Sequence, residues 1–575
     1  MMNNVRWLKT ILFLCLLTVI VTTTAAQTVT GPLGEQFSAR VVAKGLSGPW
    51  EITYGPDSLL WVTESKGYTV SRINPKNGNR TVLLDLSGNK NFPRYDTMPE
   101  EVSKGKPWPQ GGLMGLALHP QLLTGKPYVY LSYIYHFEGA EAEDSGAAPN
   151  YGGYFFKTKL VRYTYDAQKQ TLHTPQILCD TIPGSNDHNS GRLLIAPVGG
   201  EAYLFYTVGD MGAGQYDNAG RPNFAQRTDK YEGKVLRFQL EPDQDAGTYD
   251  KWIPNDNPFN SDRQNAVWSY GHRNAQGLAY AVVGNKGRIY TAEHGPFSDD
   301  EINIIQKGKN YGHPLIVGYN DGNYNGLAAG ATSHSSLPGQ WHTTYPFIKS
   351  ESANVRAIGA ENYQDPIHSF YPSSNQFLHA VLARTKQDSE EKPEWPAVAP
   401  SSIAVYTASA IPGWQNSLLV TSLKEKRLVR LKLNAAGDGL TGDTLTYFKA
   451  PARYRDVALS MDGRSIFLAI DSVQASSGPS EDADTQDQQS QCSGCIIAYT
   501  YQPASHSSNE TNLVQQLRTA VQKMNKKQQH TIRANLAPAQ RRAFNLLLIS
   551  DLTTTEEAQV RQNALELQHA VKQVK

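Results

Sequence analysis

The chain is poor in cysteine, in net charge and in long apolar runs. Lys and Arg number 54 against 53 Asp and Glu in 575 residues. A chain so balanced has no bulk basic field, which argues against a nucleic-acid binder that works through one. The one long apolar run is Ile11–Val21, and no later stretch is long enough to span a membrane. That run follows Arg6 and Lys9 and precedes the small residues Thr24-Ala25-Ala26. Residues 1–26 therefore read as a cleaved signal peptide, with an uncleaved anchor as the alternative. Losing Arg6 and Lys9 takes the net charge from +1 to about −1. The expectation is an exported protein, periplasmic or secreted.

Of four cysteines, Cys15 leaves with the signal. Cys492-Ser493-Gly494-Cys495 is followed by Ile496 rather than His, so it is not a covalent haem site. No second pair exists to complete a zinc site. A local disulfide is expected, which leaves Cys179 as a buried free thiol.

What the chain does have is turn residues and short apolar runs. With 47 Gly, 32 Pro and 30 Tyr, the stretch from about 38 to 502 reads as all-β. An apolar run, a turn and an alternating run recur six times. The pairs begin at Trp50 and Leu60, Gly115 and Tyr128, Gly191 and Tyr203, Gly277 and Arg288, Ser402 and Ser417, and Asp456 and Ser465. Six such units predict a six-bladed β-propeller of four-stranded antiparallel blades over 27–503. Strand ends from separate blades then meet around one channel and can share a site. Residues 474–491 are rich in Ser, Gln and Asp and read as a disordered loop. From 504 to 575 the pattern turns helical. Leu513, Leu517, Val521 and Met524 share one face, Pro538 opens a second helix, and Thr553 with Glu556 resembles the capping box of a third. This C-terminal α-helical extension could dock on the propeller or bind a partner.

Three polar loops follow the apolar strands: Asn186-Asp187-His188-Asn189-Ser190-Gly191-Arg192, Gly271-His272-Arg273-Asn274, and Glu293-His294-Gly295-Pro296 running on to Asn303. A neutral imidazole such as His188 suits a general base near neutral pH and needs a carboxylate to fix its tautomer. Asp210 is the candidate for that role, and Asp187 the alternative. Arg453 and Arg455 alternate on one strand, which would put both guanidinium forks on one face. Lys424 adds a point charge. Seen alone, these cations read equally as a solvated surface.

With Gln110-Gly111-Gly112-Leu113-Met114-Gly115, Ser422-Leu423-Lys424 and Arg453-Tyr454-Arg455-Asp456, these loops make the chain resemble a known family. It resembles the soluble pyrroloquinoline quinone (PQQ)-dependent glucose and aldose sugar dehydrogenases, or glucose/sorbosone dehydrogenases, from about Gly45 to Tyr501. The resemblance implies oxidation of an aldose at its anomeric carbon to a lactone. A hydride would go to PQQ and electrons to an external acceptor. It implies His188 as base, with Asp210 as the residue-based candidate to orient it, and Arg273 with Asn274 near the quinone oxygens to stabilise the reduced anion. It implies Gln110, Asp187, Arg273, Asn274, Lys424, Arg453 and Arg455 as cofactor contacts, and Asp187 and Trp395 as substrate contacts. It further implies calcium at the carbonyls of Gly295 and Pro296. A second calcium is implied at Glu301, Tyr311, Tyr319, Asp321 and the Val317 carbonyl. His294 stands where the glucose enzymes carry Gln. The segment Glu390-Glu391-Lys392-Pro393-Glu394 lacks their aromatic and Cys pair, so glucose preference and their dimer do not carry over. Two other readings stay open: a non-enzymatic propeller that binds sugar or protein, and a calcium-dependent lactonase.

Overall fold

The structure is a computed structural model. It describes residues 27–88, 110–141, 152–215, 218–244, 250–332, 337, 342–385, 395–442, 444–450, 453–471, 492–503, 508–549, 560 and 563–573. The expected signal peptide, the 474–491 loop, Thr553 and Glu556 lie outside them.

Twenty-five strands form six antiparallel sheets. The first blade holds β3 (Pro49–Tyr54), β4 (Leu60–Glu64), β5 (Thr69–Ile73) and β6 (Arg80–Asp85). The second holds β7 (Leu113–Leu118), β8 (Tyr128–Glu141), β9 (Gly153–Asp166) and β10 (Thr171–Gly184). The third holds β11 (Ser190–Val198), β12 (Glu201–Val208), β13 (Lys234–Gln239) and β14 (Val267–Tyr270). The fourth holds β15 (Ala275–Val283), β16 (Lys286–Glu293), β17 (Asp300–Ile305) and β18 (His368–Phe370). The fifth holds β19 (Pro400–Tyr406), β20 (Ser417–Ser422), β21 (Leu428–Lys432) and β22 (Leu445–Tyr447). The sixth is built from both ends of the propeller sequence. Its β23 (Tyr454–Leu459), β24 (Ser465–Ile470) and β25 (Ile496–Gln502) are completed by β2 (Gln36–Ala43) and β1 (Gln27–Thr30).

Each of the six sequence pairs is the inner hairpin of a blade. The first strands β3, β7, β11, β15, β19 and β23 touch one another in a closed ring. Apolar faces fill the space between blades: Trp61, Tyr68 and Val70 of the first pack on Leu116, Leu131 and Tyr163 of the second. Each such fully buried side chain contributes roughly 1.5–3 kcal/mol.

Every inner hairpin slips register near the start of its first strand. The shifts fall at Pro49/Glu51, Leu113/Leu116, Ser190/Leu193, Ala275/Gly277, Pro400/Ser402 and Tyr454/Asp456. A bulge leaves backbone groups without ladder partners and re-aims side chains. Here a hydroxyl on the second strand fills the gap. Glu51 N donates to Thr63 Oγ1 (3.1 Å), Gly115 N to Ser132 Oγ (2.9 Å) and Arg192 N to Thr207 Oγ1 (2.9 Å). Thr291 Oγ1 donates to Gly277 O at 2.7 Å, and Thr421 bonds Ser401 at 2.9 Å. Ala469 takes the place in the sixth blade.

The third bulge aims Arg192 across the channel, where it is almost fully buried. It pairs with Glu51 and with Asp456 (3.1 Å), and donates to Gln276 O (2.8 Å) and Ser401 O (3.0 Å). One side chain thus joins five blades. Two buried carboxylates share one cation, so one of them is undercompensated. Burial pushes the Glu51 carboxyl up to about 8, against the opposing pull of Arg192. A folded pKa above the unfolded one means the folded state holds the extra proton. The resulting stabilisation is full below about pH 4.5 and is lost as pH rises through about 8. Glu51→Gln is therefore expected to flatten the fall in thermal midpoint between pH 5 and 8. An unchanged slope would mean another group sets it.

The chain divides into two compact units, and the second comprises Tyr501–Lys575 with Leu33–Gln36. Helices Ser508–Gln522, Lys526–Asn535, Pro538–Leu546 and Ala564–Gln573 surround a core of Leu517, Val521, Ile532, Phe544, Leu547 and Leu567. Pro538 does open a helix. The helix Lys526–Asn535 was not anticipated, because Ile532 is its only buried residue and its apolar stripe is weak. Asn525 and Gln528 form its capping box and end the first run before Met524. Among the described residues no helix is long and apolar enough to cross a membrane.

Cys492 and Cys495 are disulfide-bonded. Cys179 is free but only half-buried, contrary to expectation, because it lies on the outermost strand β10 at an irregular register.

Candidate active site

The bulges and second-strand ends of all blades face the same end of the ring. At the third blade the chain turns sharply: His188 (φ 46°) and Ser190 (φ 54°) both adopt the left-handed region, as does Gly191 (φ 97°). Non-glycine residues held there are uncommon and strained, and they concentrate at functional sites. Gln110 Oε1 accepts from His188 N (3.1 Å), and Asn274 Oδ1 accepts from Ser190 N (3.2 Å). These bonds hold the loop in place.

His188 Nδ1 lies 2.7 Å from Asp210 Oδ1, while its Nε2 lies 3.7 Å from Asp187 Oδ2. The geometry makes Asp210 the carboxylate that orients the ring and leaves Asp187 beside Nε2. Asp210 is fully buried, which alone would raise its pKa. The charges and hydrogen bonds of His188 and His313 instead hold it well below the ordinary carboxylate range. It stays ionised and accepts from His188 Nδ1, which in a neutral imidazole makes Nε2 the accepting nitrogen.

Gly209, between β12 and Asp210, lets the loop pass under the base. A Cβ there would stand 1.8 Å from the His188 carbonyl oxygen. Relieving such an overlap costs about 1–3 kcal/mol and moves His188. Gly209→Ala is expected to lower turnover more than tenfold with a modest fall in thermal midpoint. Full activity in that variant would show that the close approach does not matter.

In the fourth blade, Arg273 N donates to Glu293, and Glu293 Oε2 lies 2.9 Å from His272 Nδ1. Arg273 NH2 donates to Gln215 Oε1 at 3.1 Å. Burial, with the charges of Arg273 and Arg455, holds His294 well below the ordinary histidine range, so it is neutral. Asp300 clamps the loop after it by accepting from Gly295 N (2.8 Å) and Val398 N (2.7 Å).

The cationic wall differs from the sequence picture in one respect. The bulge between Tyr454 and Asp456 interrupts the alternation expected to put Arg453 and Arg455 on one face. They converge instead on Asp471, which the sequence reading missed. Arg455 pairs with its carboxylate at 2.6 Å, and Arg453 O accepts from its backbone N–H at 2.9 Å. Lys66, also missed, is buried and donates to Gly111 O at 3.1 Å. The propeller's own repeat carried that signal. In three blades the residue opposite the one after the bulge is Thr63, Thr207 or Thr421, and three residues beyond stand Lys66, Asp210 and Lys424. Lys424 donates to the Trp395 carbonyl. The Trp395 ring packs on Phe297 with centroids 4.3 Å apart, so that contact covers part of a ring expected to contact the substrate.

Three donor atoms here are buried with no hydrogen-bond partner among the described residues: Arg273 Nε, Asn274 Nδ2 and Trp395 Nε1. A buried unpaired donor costs about 1–3 kcal/mol, which an oxygen-rich anionic ligand would recover. The residues present therefore fit a polycarboxylate quinone. The residues of the expected second calcium set have protein partners of their own. Glu301 accepts from Gly318 N and Asn303 Nδ2, both at 2.9 Å, and the Tyr311 hydroxyl donates to Ile304 O at 2.6 Å. Tyr319 Oη accepts from Ser369 N at 3.2 Å, and Asp321 Oδ1 from Asn323 N at 3.1 Å. Among the described residues no three His, Cys, Asp or Glu side chains are grouped as metal ligands.

An imidazole oriented by a buried carboxylate and a cluster of cations thus share the bulged strand ends of a six-bladed propeller. The sequence profile of the glucose/sorbosone dehydrogenases matches residues 46–351 and 358–476. The chain is 32% identical over 471 residues to quinoprotein glucose dehydrogenase B of Acinetobacter calcoaceticus, covering 76% of this chain and 86% of that one. It is 27% identical over 437 residues to aldose sugar dehydrogenase YliI of Escherichia coli, covering 76% and 90%. The fold is shared with the PQQ-bound aldose sugar dehydrogenase of Streptomyces coelicolor (TM-score 0.50, 22% identity, 81% of this chain and 98% of that one). The chain belongs to the glucose/sorbosone dehydrogenase family and is an enzyme.

Proposed function

We propose that this enzyme oxidises aldose sugars at the anomeric carbon to lactones, using PQQ and passing electrons to an external acceptor. The observation that carries the reading is the base already oriented by Asp210 beside buried donors that have no protein partner. The family relatives named for glucose and aldose oxidation support it.

His188 Nε2 takes the proton of the anomeric hydroxyl as the C1–H bond gives up its hydride and the C1–O bond becomes a carbonyl. The imidazolium that forms is stabilised by ionised Asp210. PQQ, when bound, supplies the two-electron acceptor for the hydride. Arg273 and Asn274 present donors where negative charge would develop. Lys66, Lys424, Arg453 and Arg455 would hold its carboxylates, with Asp471 tempering their charge. Carbonyl oxygens of Gly295 and Pro296 suit a calcium ion, which would supply Lewis-acid polarisation. The reading includes export through residues 1–26 and activity outside the cytoplasm.

The test adds PQQ and calcium to purified apoprotein, follows cofactor binding by titration, and then follows dye reduction with a panel of aldoses. Saturable binding and sugar-dependent reduction are expected. Binding without reduction by any sugar would overturn the substrate class, and absence of binding would overturn the cofactor.

A further inference from the structure

Asp210 receives more donors than orienting one histidine requires. Its Oδ1 accepts from His188 Nδ1 and from Gly212 N (3.0 Å). Its Oδ2 accepts from His313 Nε2 (2.9 Å), Asn223 Nδ2 (3.2 Å) and the Tyr345 hydroxyl (2.9 Å). Tyr345 comes from a loop 135 residues further along the chain. That loop is pinned beside the Asp210 turn: Thr343 Oγ1 donates to Gly214 O (3.0 Å) and Thr344 Oγ1 to Arg221 O (2.9 Å).

The direction of each bond follows from its ends. An ionised carboxylate only accepts and a guanidinium only donates. The single proton of Tyr345 therefore goes to Asp210. Its oxygen must then accept, and it does so from Gln215 Nε2 at 3.0 Å. That orientation turns Gln215 Oε1 toward Arg273, whose NH2 donates to it at 3.1 Å. Arg273, Gln215, Tyr345 and Asp210 form one run of donors pointing from cation to anion, and His188 closes it from the other side. All five side chains are buried. Hydrogen bonds aligned in series polarise one another in a low-dielectric setting.

We propose that Tyr345 and Gln215 are positioning residues that tie the orientation of the base to that of the guanidinium across the reaction centre. This rests on the reading of His188 as the base. Without the link, the proton-accepting and charge-stabilising halves of the site would each relax independently. With it, a displacement at one end is felt at the other.

The test is a double-mutant cycle with Tyr345→Phe and Gln215→Met in the PQQ-loaded enzyme, with a second measurement on apoprotein. Each single variant is expected to lower kcat about tenfold while the sugar KM changes less than about threefold. The double variant should fall within about threefold of the worse single, because both cut one chain. Multiplying losses, or single variants with wild-type kcat and only a lower thermal midpoint, would overturn the link. In apoprotein carrying ¹⁵N-labelled histidine, the His188 Nδ1–H proton is assigned by its loss in His188→Gln. Its resonance should move downfield in Tyr345→Phe, because Asp210 loses a competing donor. It should move less, in the same direction, in Gln215→Met. No movement in either variant would also overturn the link. The apoprotein measurement separates the two ideas, because it stands even where the wild type oxidises no sugar.

Discussion

His188→Gln is expected to lower sugar-dependent dye reduction by roughly 10²–10⁴-fold while PQQ still binds. Asp210, 2.7 Å from Nδ1, fixes the tautomer that leaves Nε2 as the accepting nitrogen. Glutamine keeps a polar group of similar reach but cannot accept a proton near neutral pH. Cofactor affinity should hold, because the cations and the unpartnered donors lie on other residues. Asp210→Asn should lose a comparable factor through a different route. An amide could present its N–H to Nδ1, favouring the tautomer that carries its proton on Nε2. Its effect should fall mainly on kcat. If His188→Gln retains more than about a tenth of wild-type kcat, the base lies elsewhere, and Asp187 beside Nε2 is the next residue to replace.

Arg192→Met should be the most damaging single change to stability, at about 3–5 kcal/mol. Methionine fills the volume but leaves Glu51 and Asp456 facing each other without their shared cation. It also strips donors from the carbonyls of Gln276 and Ser401. Arg192→Lys should recover little, since one ammonium cannot reproduce a planar fork that reaches several blades. The triple variant Glu51→Gln, Arg192→Met, Asp456→Asn should be more stable than Arg192→Met alone. The cost lies in uncompensated charge rather than in lost attraction. Urea midpoints of the four proteins decide the matter. A loss below about 1 kcal/mol in Arg192→Met would remove the hub from the account.

The ring was legible because each blade repeats its inner hairpin, and the alternation within those hairpins is strong. The pairing of His188 with Asp210 was legible because both sit in polar loops directly after apolar strands. What escaped was set by geometry that alternation does not encode. A bulge at Tyr454/Asp456 interrupts the alternation around Arg455. Asp471 and Lys66 look like ordinary strand-end charges in the sequence, and only the fold brings Asp471 to Arg455. Tyr345 and His313 lie in loops without periodicity and reach Asp210 only because the ring brings distant segments together.

The sixth blade gives the molecule a time order. Its β25 cannot meet β2 until more than 450 residues between them have been made and placed. Pairing over so long a separation is slow, and it comes after the local hairpins. The early strand β2 must therefore wait with an unsatisfied edge, the kind that recruits other chains. Its pattern suits the wait: Arg40 and Val41 are exposed, and Arg40 is drawn to the Pro75 carbonyl of the first blade. Yield on refolding should thus depend on protein concentration far more than on the stability of any single blade, and the last joint to form is the one most worth protecting.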